Sequence, residues 1–108
     1  MNITNIHDSA EDFHLLQTTG RTQTATITLQ PGEATSDGFN RHPHSDQTVV
    51  VLDGELVAEV GKEHEVVRQG QSLIIPAGVD HRLRNDANAT AFALTVYAPP
   101  AYETDDPT

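Results

Sequence analysis

Histidines at short spacing offer this chain its chemistry. His42-Pro43-His44 places two imidazoles two residues apart, and on an extended chain both would point to one face, as a metal requires of adjacent ligands. Gln47 follows close behind and carries an amide oxygen that can also bind a divalent ion. A second device spans Gly70 to Asn85: a glycine, the short apolar strand Ser72 to Ile75, a Pro76-Ala77-Gly78 turn, and His81 at the start of the returning strand. The chain has no cysteine, so thiolate ligation, disulfides and a cysteine nucleophile are all excluded. There is also no glycine-rich phosphate loop and no serine in a nucleophile elbow.

The second segment fits G-x5-P-x-G-x2-H-x3-N at every specified position, from Gly70 through Pro76, Gly78 and His81 to Asn85. It resembles the second signature of the cupin family. Gly38 to Gly54 is similar to the first, G-x5-H-x-H-x3-4-E-x6-G, and the two signatures together cover residues 38 to 85. The resemblance implies an all-β, cupin-type double-stranded β-helix or jelly-roll barrel. It also implies a mononuclear metal site held by His42, His44, Gln47 and His81.

Two departures bear on that set. Counting back from Gly54, the family's glutamate position falls on Gln47, a neutral ligand that leaves the site more cationic. The interval from His44 to Gln47 is also one residue short. An ungapped count instead aligns Asn40 and His42 with the histidine pair, giving Asn40, His42, Gln47 and His81. Asp46 is a further candidate by face parity. Neutral imidazoles suit iron, manganese, nickel, zinc or copper, whereas calcium prefers several oxygen ligands.

Positioning these residues falls to short strands separated by turns, with no convincing helical period. Strands are expected at Asp12 to Gln17, Thr22 to Leu29, Gln47 to Leu52, Glu55 to Val60, Glu65 to Arg68, Ser72 to Ile75, His81 to Asn85 and Thr90 to Tyr97. Asp53-Gly54 is a hairpin signal. If Gln47 faces inward, Val49 and Val51 do too, and Val50 and Leu52 face out. Such an outward apolar pair predicts a homodimer sharing that sheet. The expected organisation is one domain over residues 1–108: an arm at 1–11, a barrel at 12–98, and an extended acidic tail at 99–108, disordered from Glu103 onward.

The 108 residues carry a formal net charge of −10, which repels phosphate backbones and argues against nucleic acid as a partner. That acidity is compatible with work at high ionic strength, where salt screens self-repulsion, and with an ordinary acidic cytosolic protein. Met1 to Ala10 lacks a basic segment followed by an apolar run, and no stretch reaches the roughly 20 apolar residues of a membrane helix. A soluble cytoplasmic protein, without a membrane partner, is expected. Two functions follow from the resemblance. One is a metal-dependent enzyme, of oxygenase or isomerase type, acting on a small organic molecule. The other is a non-catalytic metal- or metabolite-binding module. With no carboxylate at position 47, Asp46, Asp80 or a metal-bound hydroxide would have to move protons.

Overall fold

The computed structural model describes residues 1–8 and 12–103. Eight strands follow one another: β1 (Phe13–Thr18), β2 (Gln23–Leu29), β3 (Asp46–Asp53), β4 (Glu55–Val60), β5 (Glu63–Arg68), β6 (Ser72–Ile75), β7 (His81–Arg84) and β8 (Ala91–Ala98). They form two antiparallel sheets, ordered β1-β2-β8-β3-β6 and β5-β4-β7, packed face to face as a jelly roll. No helix of the described chain is long and apolar enough to cross a membrane.

Period-two alternation decides what faces inward. From the larger sheet come Ile27 and Leu29 of β2, Val49 and Val51 of β3, Ile75 of β6, and Ala91 and Ala93 of β8. Leu56 and Ala58 of β4, Val67 of β5 and Leu83 of β7 meet them from the smaller sheet. Each large aliphatic side chain buried there contributes about 1.5–3 kcal/mol. The expected outward turn of Val50 and Leu52 holds: Val50 is half-buried and Leu52 is 38% exposed. In β8 the large apolar residues Phe92, Leu94 and Val96 lie on the half-buried outer face, and the smaller Ala91 and Ala93 with Thr95 and Tyr97 line the interior.

The interior is divided along its length. At one end the inward residues are aliphatic; at the other they are polar. Register makes a transverse row there, because Gln23 pairs with Tyr97, Tyr97 with Gln47, and Gln47 with Ile75 across four adjacent strands. Gln23, Gln47 and Tyr97 are all buried. Gln47 and Tyr97 of this row line the candidate site.

Two turns fix the strands around it. Gly54 has φ +73°, and a Cβ there would lie 2.7 Å from the Thr90 carbonyl oxygen, so glycine alone closes the β3–β4 turn. Asn85, 0% exposed, donates to the Leu29 and Ala89 carbonyls and accepts from the Ala87 amide, tying three segments together at the aliphatic end.

The chain ends differ from the sequence-based expectation at one point. Ala101 and Tyr102 fold back onto β2 instead of extending away, since both amides donate to Gln23 Oε1, at 3.2 and 3.0 Å. The remainder of the expected tail, residues 104–108, lies outside the described residues, as do 9–11 of the expected arm. Within the arm, His7 stacks on Phe92 at 4.8 Å and the Asn2 carbonyl accepts from Gln17 Nε2.

Candidate functional site

The two sequence signatures are stitched together by backbone. Asn40 and His81 exchange both amide–carbonyl hydrogen bonds, each 2.8 Å. The His42 carbonyl accepts from the Gly78 amide, also at 2.8 Å. Gly78 turns with φ +79°, a conformation that a side chain would strain. Asp46 Oδ1 accepts from the Ala77 amide at 2.9 Å and holds the same turn from the other side. The Pro76-Ala77-Gly78 turn is therefore a clamp. It brings His81 and His42 to a ring separation of 5.1 Å.

Both rings line a cavity of about 260 Å³, together with Asn40, Gln47, Tyr97 and Tyr102. His81 is 4% exposed, and its Nδ1 lies 3.0 Å from the Val79 carbonyl oxygen. A carbonyl only accepts, so Nδ1 donates in this bond, the kind of contact that orients a ligating imidazole. Burial, and then the neighbouring His81, hold the His42 pKa below its ordinary value. His42 is thus a neutral donor at neutral pH.

Gln47, 3% exposed, donates through Nε2 to Thr95 Oγ1 at 2.9 Å and to the Tyr97 hydroxyl at 3.3 Å. Its Oε1 is buried and has no hydrogen-bond partner among the described residues. A buried acceptor without a donor costs about 1–3 kcal/mol, so this oxygen is a position that a water, a hydrogen-bond donor of a ligand or a cation would satisfy. Two imidazoles sharing one ion by their nitrogens have ring centres roughly 4.5–5.2 Å apart at ordinary bond lengths. The observed pair is within that range. The Gln47 amide oxygen and the two imidazoles are neutral donors that could hold a divalent transition metal. None of these donors is anionic. Among the described residues there is no cluster of three or more His, Asp or Glu arranged for a metal.

The sequence-derived residues divide accordingly. His42, Gln47 and His81 come together, and Asn40, weighed as the alternative to His44, lines the same cavity. His44 does not: it is exposed, and it sits with Pro43 in a turn. The same-face argument for His42 and His44 needs extended backbone, and the proline turn removes it. Asp46 is committed to the clamp, and Asp80 pairs with Arg41 at 2.8 Å outside the cavity. Asp12, at the rim, is the cavity's acidic lining residue.

Aromatic residues that sequence reasoning missed complete the walls. The Tyr97 ring stands 5.1 Å from His42, edge to face, and Tyr102 stands 5.5 Å from His42 and 5.4 Å from Tyr97. Burial first, then the adjacent Tyr102, push the Tyr97 phenol well above its ordinary range, so it remains a hydrogen-bond donor. Two signals pointed here. Tyr97 shares inward parity with Thr95 along β8, and Gln23 is a polar residue at an inward position of β2.

Comparison with known proteins adds the lineage of the fold. A family model described as "Cupin domain" matches residues 25–97. The tetracenomycin polyketide synthase protein TcmJ of Streptomyces glaucescens is 32% identical over 76 residues, covering 68% of this chain and 50% of that protein. The polyketide synthase CurC of Streptomyces cyaneus is 35% identical over 74 residues, covering 66% and 47%. The chain thus spans about half the length of these relatives. Among solved structures, BH2720 from Bacillus halodurans superposes with a TM-score of 0.82 at 28% identity, covering 89% of this chain and 76% of that one.

Proposed function

This chain belongs to the cupin family, and on that premise we propose that it is a mononuclear divalent-metal protein acting on a small organic molecule, by an oxygenase or isomerase type of reaction. His42, His81 and Gln47 would hold the ion, with Asn40 beside them, and iron, manganese, nickel, zinc or copper all suit these donors. The observation that carries the reading is the unpartnered Gln47 Oε1 on the cavity wall shared with His42 and His81. When bound, the metal supplies Lewis acidity and a template for a chelating substrate.

The chain's own residues set what that substrate is. Because every proposed ligand is neutral, the missing charge is supplied best by an anionic oxygen donor, such as an enolate, phenolate or carboxylate. The polyketide synthase names of two relatives favour enolic or phenolic compounds within that class. Tyr97, kept protonated, would offer its hydroxyl to an oxygen in the cavity, while Thr95 and Tyr97 hold the Gln47 amide by its nitrogen. Aliphatic Ile27, Leu29 and Leu83 close the floor and limit water. Loading the purified protein with each candidate metal, and screening enolic and phenolic compounds for turnover, tests this reading.

A second reading is a non-catalytic barrel that binds a metabolite or metal. The placement of Asp46 and Asp80 favours it: both carboxylates named for proton transfer are engaged outside the cavity. Saturable ligand binding without turnover, under every metal tried, would select it.

We also propose a homodimer through the outer face of the larger sheet. Half-buried Val50, Leu94 and Val96 lie on that face, and Leu52 and Ile74 are 38% and 65% exposed. A monomeric mass by light scattering at working concentration would remove this proposal.

A further inference from the structure

Gln23 is a completely buried amide, 0% exposed, and its hydrogen bonds go to an unusual place. Nε2 donates to Thr18 Oγ1 at 3.0 Å and to the Tyr102 carbonyl at 2.9 Å. Oε1 accepts from the amides of Ala101 and Tyr102 at 3.2 and 3.0 Å. An amide side chain has two donors and two acceptor sites, and here all four are used. Three of them hold a segment that follows the last strand. Pro99 and Pro100 have no amide hydrogen with which to continue a ladder, and among the described residues beyond β8 the backbone is hydrogen-bonded to the barrel through Gln23.

That attachment carries Tyr102 into the cavity. Its ring lies 5.0 Å from Phe13, 5.5 Å from His42 and 5.4 Å from Tyr97, with planes inclined at 47°, 66° and 77°. The inclined planes leave ring faces and edges turned toward one another around the opening instead of stacked shut. A dry cavity of about 150 Å³ is enough for benzene. The space here, about 260 Å³, holds a ring with polar substituents.

We propose that Tyr102 contacts the ligand and selects flat, ring-shaped molecules, and that Gln23 is the positioning residue that delivers it. The proposal rests on reading the cavity as a ligand site, and it adds the part of the wall that distinguishes planar from non-planar chelators. Gln23 lies in the same transverse row as Tyr97 and Gln47, so one line of side chains connects the latch, the phenol and the amide facing the histidines. Removing Gln23 leaves the Ala101 and Tyr102 backbone groups without partners, and the segment moves to water. Tyr102 leaves with it.

The test is calorimetric titration with catechol and with lactate, each with and without zinc(II). Both probes chelate through two oxygens, but only catechol is a flat ring. The proteins are the wild type, Gln23→Leu, Tyr102→Leu and Tyr102→Phe. We expect the wild type to prefer catechol and both leucine variants to lose roughly two- to tenfold of that preference, the scale of one aromatic contact. Tyr102→Phe should retain it. Tyr97 and Tyr102 are the only tyrosines and there is no tryptophan, so tyrosine emission reports on this cavity alone. Acrylamide should quench it more strongly in Gln23→Leu while the far-ultraviolet spectrum stays that of the folded barrel. An equal gain for both probes in Tyr102→Leu would make Tyr102 a mere plug and overturn the proposal. So would an unchanged preference in all four proteins, or unchanged quenching in Gln23→Leu. A preference that depends on Tyr102, with no uptake of zinc or of iron, manganese, nickel or copper offered in its place, would leave this proposal standing and remove the metal reading. Zinc taken up by the wild type but not by an added His81→Ala variant, with a preference unmoved by both leucine variants, would do the reverse. A wild type that binds neither probe overturns both.

Discussion

Gln47 Nε2 lies 2.9 Å from Thr95 Oγ1, and this bond between neighbouring strands β3 and β8 commits the nitrogen end of the amide. The nitrogen is spent on Thr95 and the Tyr97 hydroxyl, and the oxygen has no partner among the described residues. In the proposed site, a glutamine held this way would supply the oxygen of the family's glutamate without its charge.

Replacing it tests that statement. Gln47→Glu restores the anionic ligand and should tighten metal binding about tenfold or more, the scale of changes around metal ligands. The same variant without metal buries an uncompensated carboxylate and should lose about 3 kcal/mol of stability. Competition with a chromophoric chelator and urea unfolding measure the two effects. Unchanged affinity would mean that Gln47 does not touch the ion.

The two histidines of His42-Pro43-His44 should behave differently. His42→Ala should weaken metal binding severely. His44→Ala, at an exposed turn position, should leave affinity within about twofold and stability within about 0.5 kcal/mol. Isothermal titration of the two variants decides it, and a severe loss in His44→Ala would reinstate that residue as a ligand.

The metal-free protein should lose stability with acid in a manner traceable to His42. Its folded pKa lies below the ordinary 6.5, so as pH falls through 6.5 the unfolded chain takes up a proton that the folded one resists. This contribution is complete above the unfolded pKa, is lost as pH falls through the interval down to the folded pKa, and is constant below that. Urea unfolding of wild type and His42→Asn between about pH 7.5 and about pH 5.5 checks the sign. The wild type should lose more.

Asn85→Ala tests the architecture apart from the site. Its amide satisfies the Leu29 and Ala89 carbonyls and the Ala87 amide in a fully buried position, and removing it should cost about 2–3 kcal/mol. Metal affinity should be kept as long as the protein is folded, since Asn85 does not line the cavity.

Much of the frame was legible from local chemistry. The Gly70 to Asn85 device, the Asp53-Gly54 turn and the alternation in Thr22 to Leu29 each state a backbone geometry that tertiary packing has no reason to override. Less legible was what depends on distance. The bulk of Phe92, Leu94 and Val96 draws attention to the outer face of β8, although the site is built by Thr95 and Tyr97 on the other. His44 misleads because parity holds on strands and lapses at Pro43. Tyr102 could not be placed, because nothing near it in sequence reveals that Gln23, 79 residues away, receives its backbone.

Elemental analysis of protein purified without chelators or a histidine tag tests the central claim most directly. The account predicts about one equivalent of a single transition metal per chain, absent from His81→Ala. No metal as isolated, and none retained after exposure to iron, manganese, nickel, zinc or copper, would contradict it.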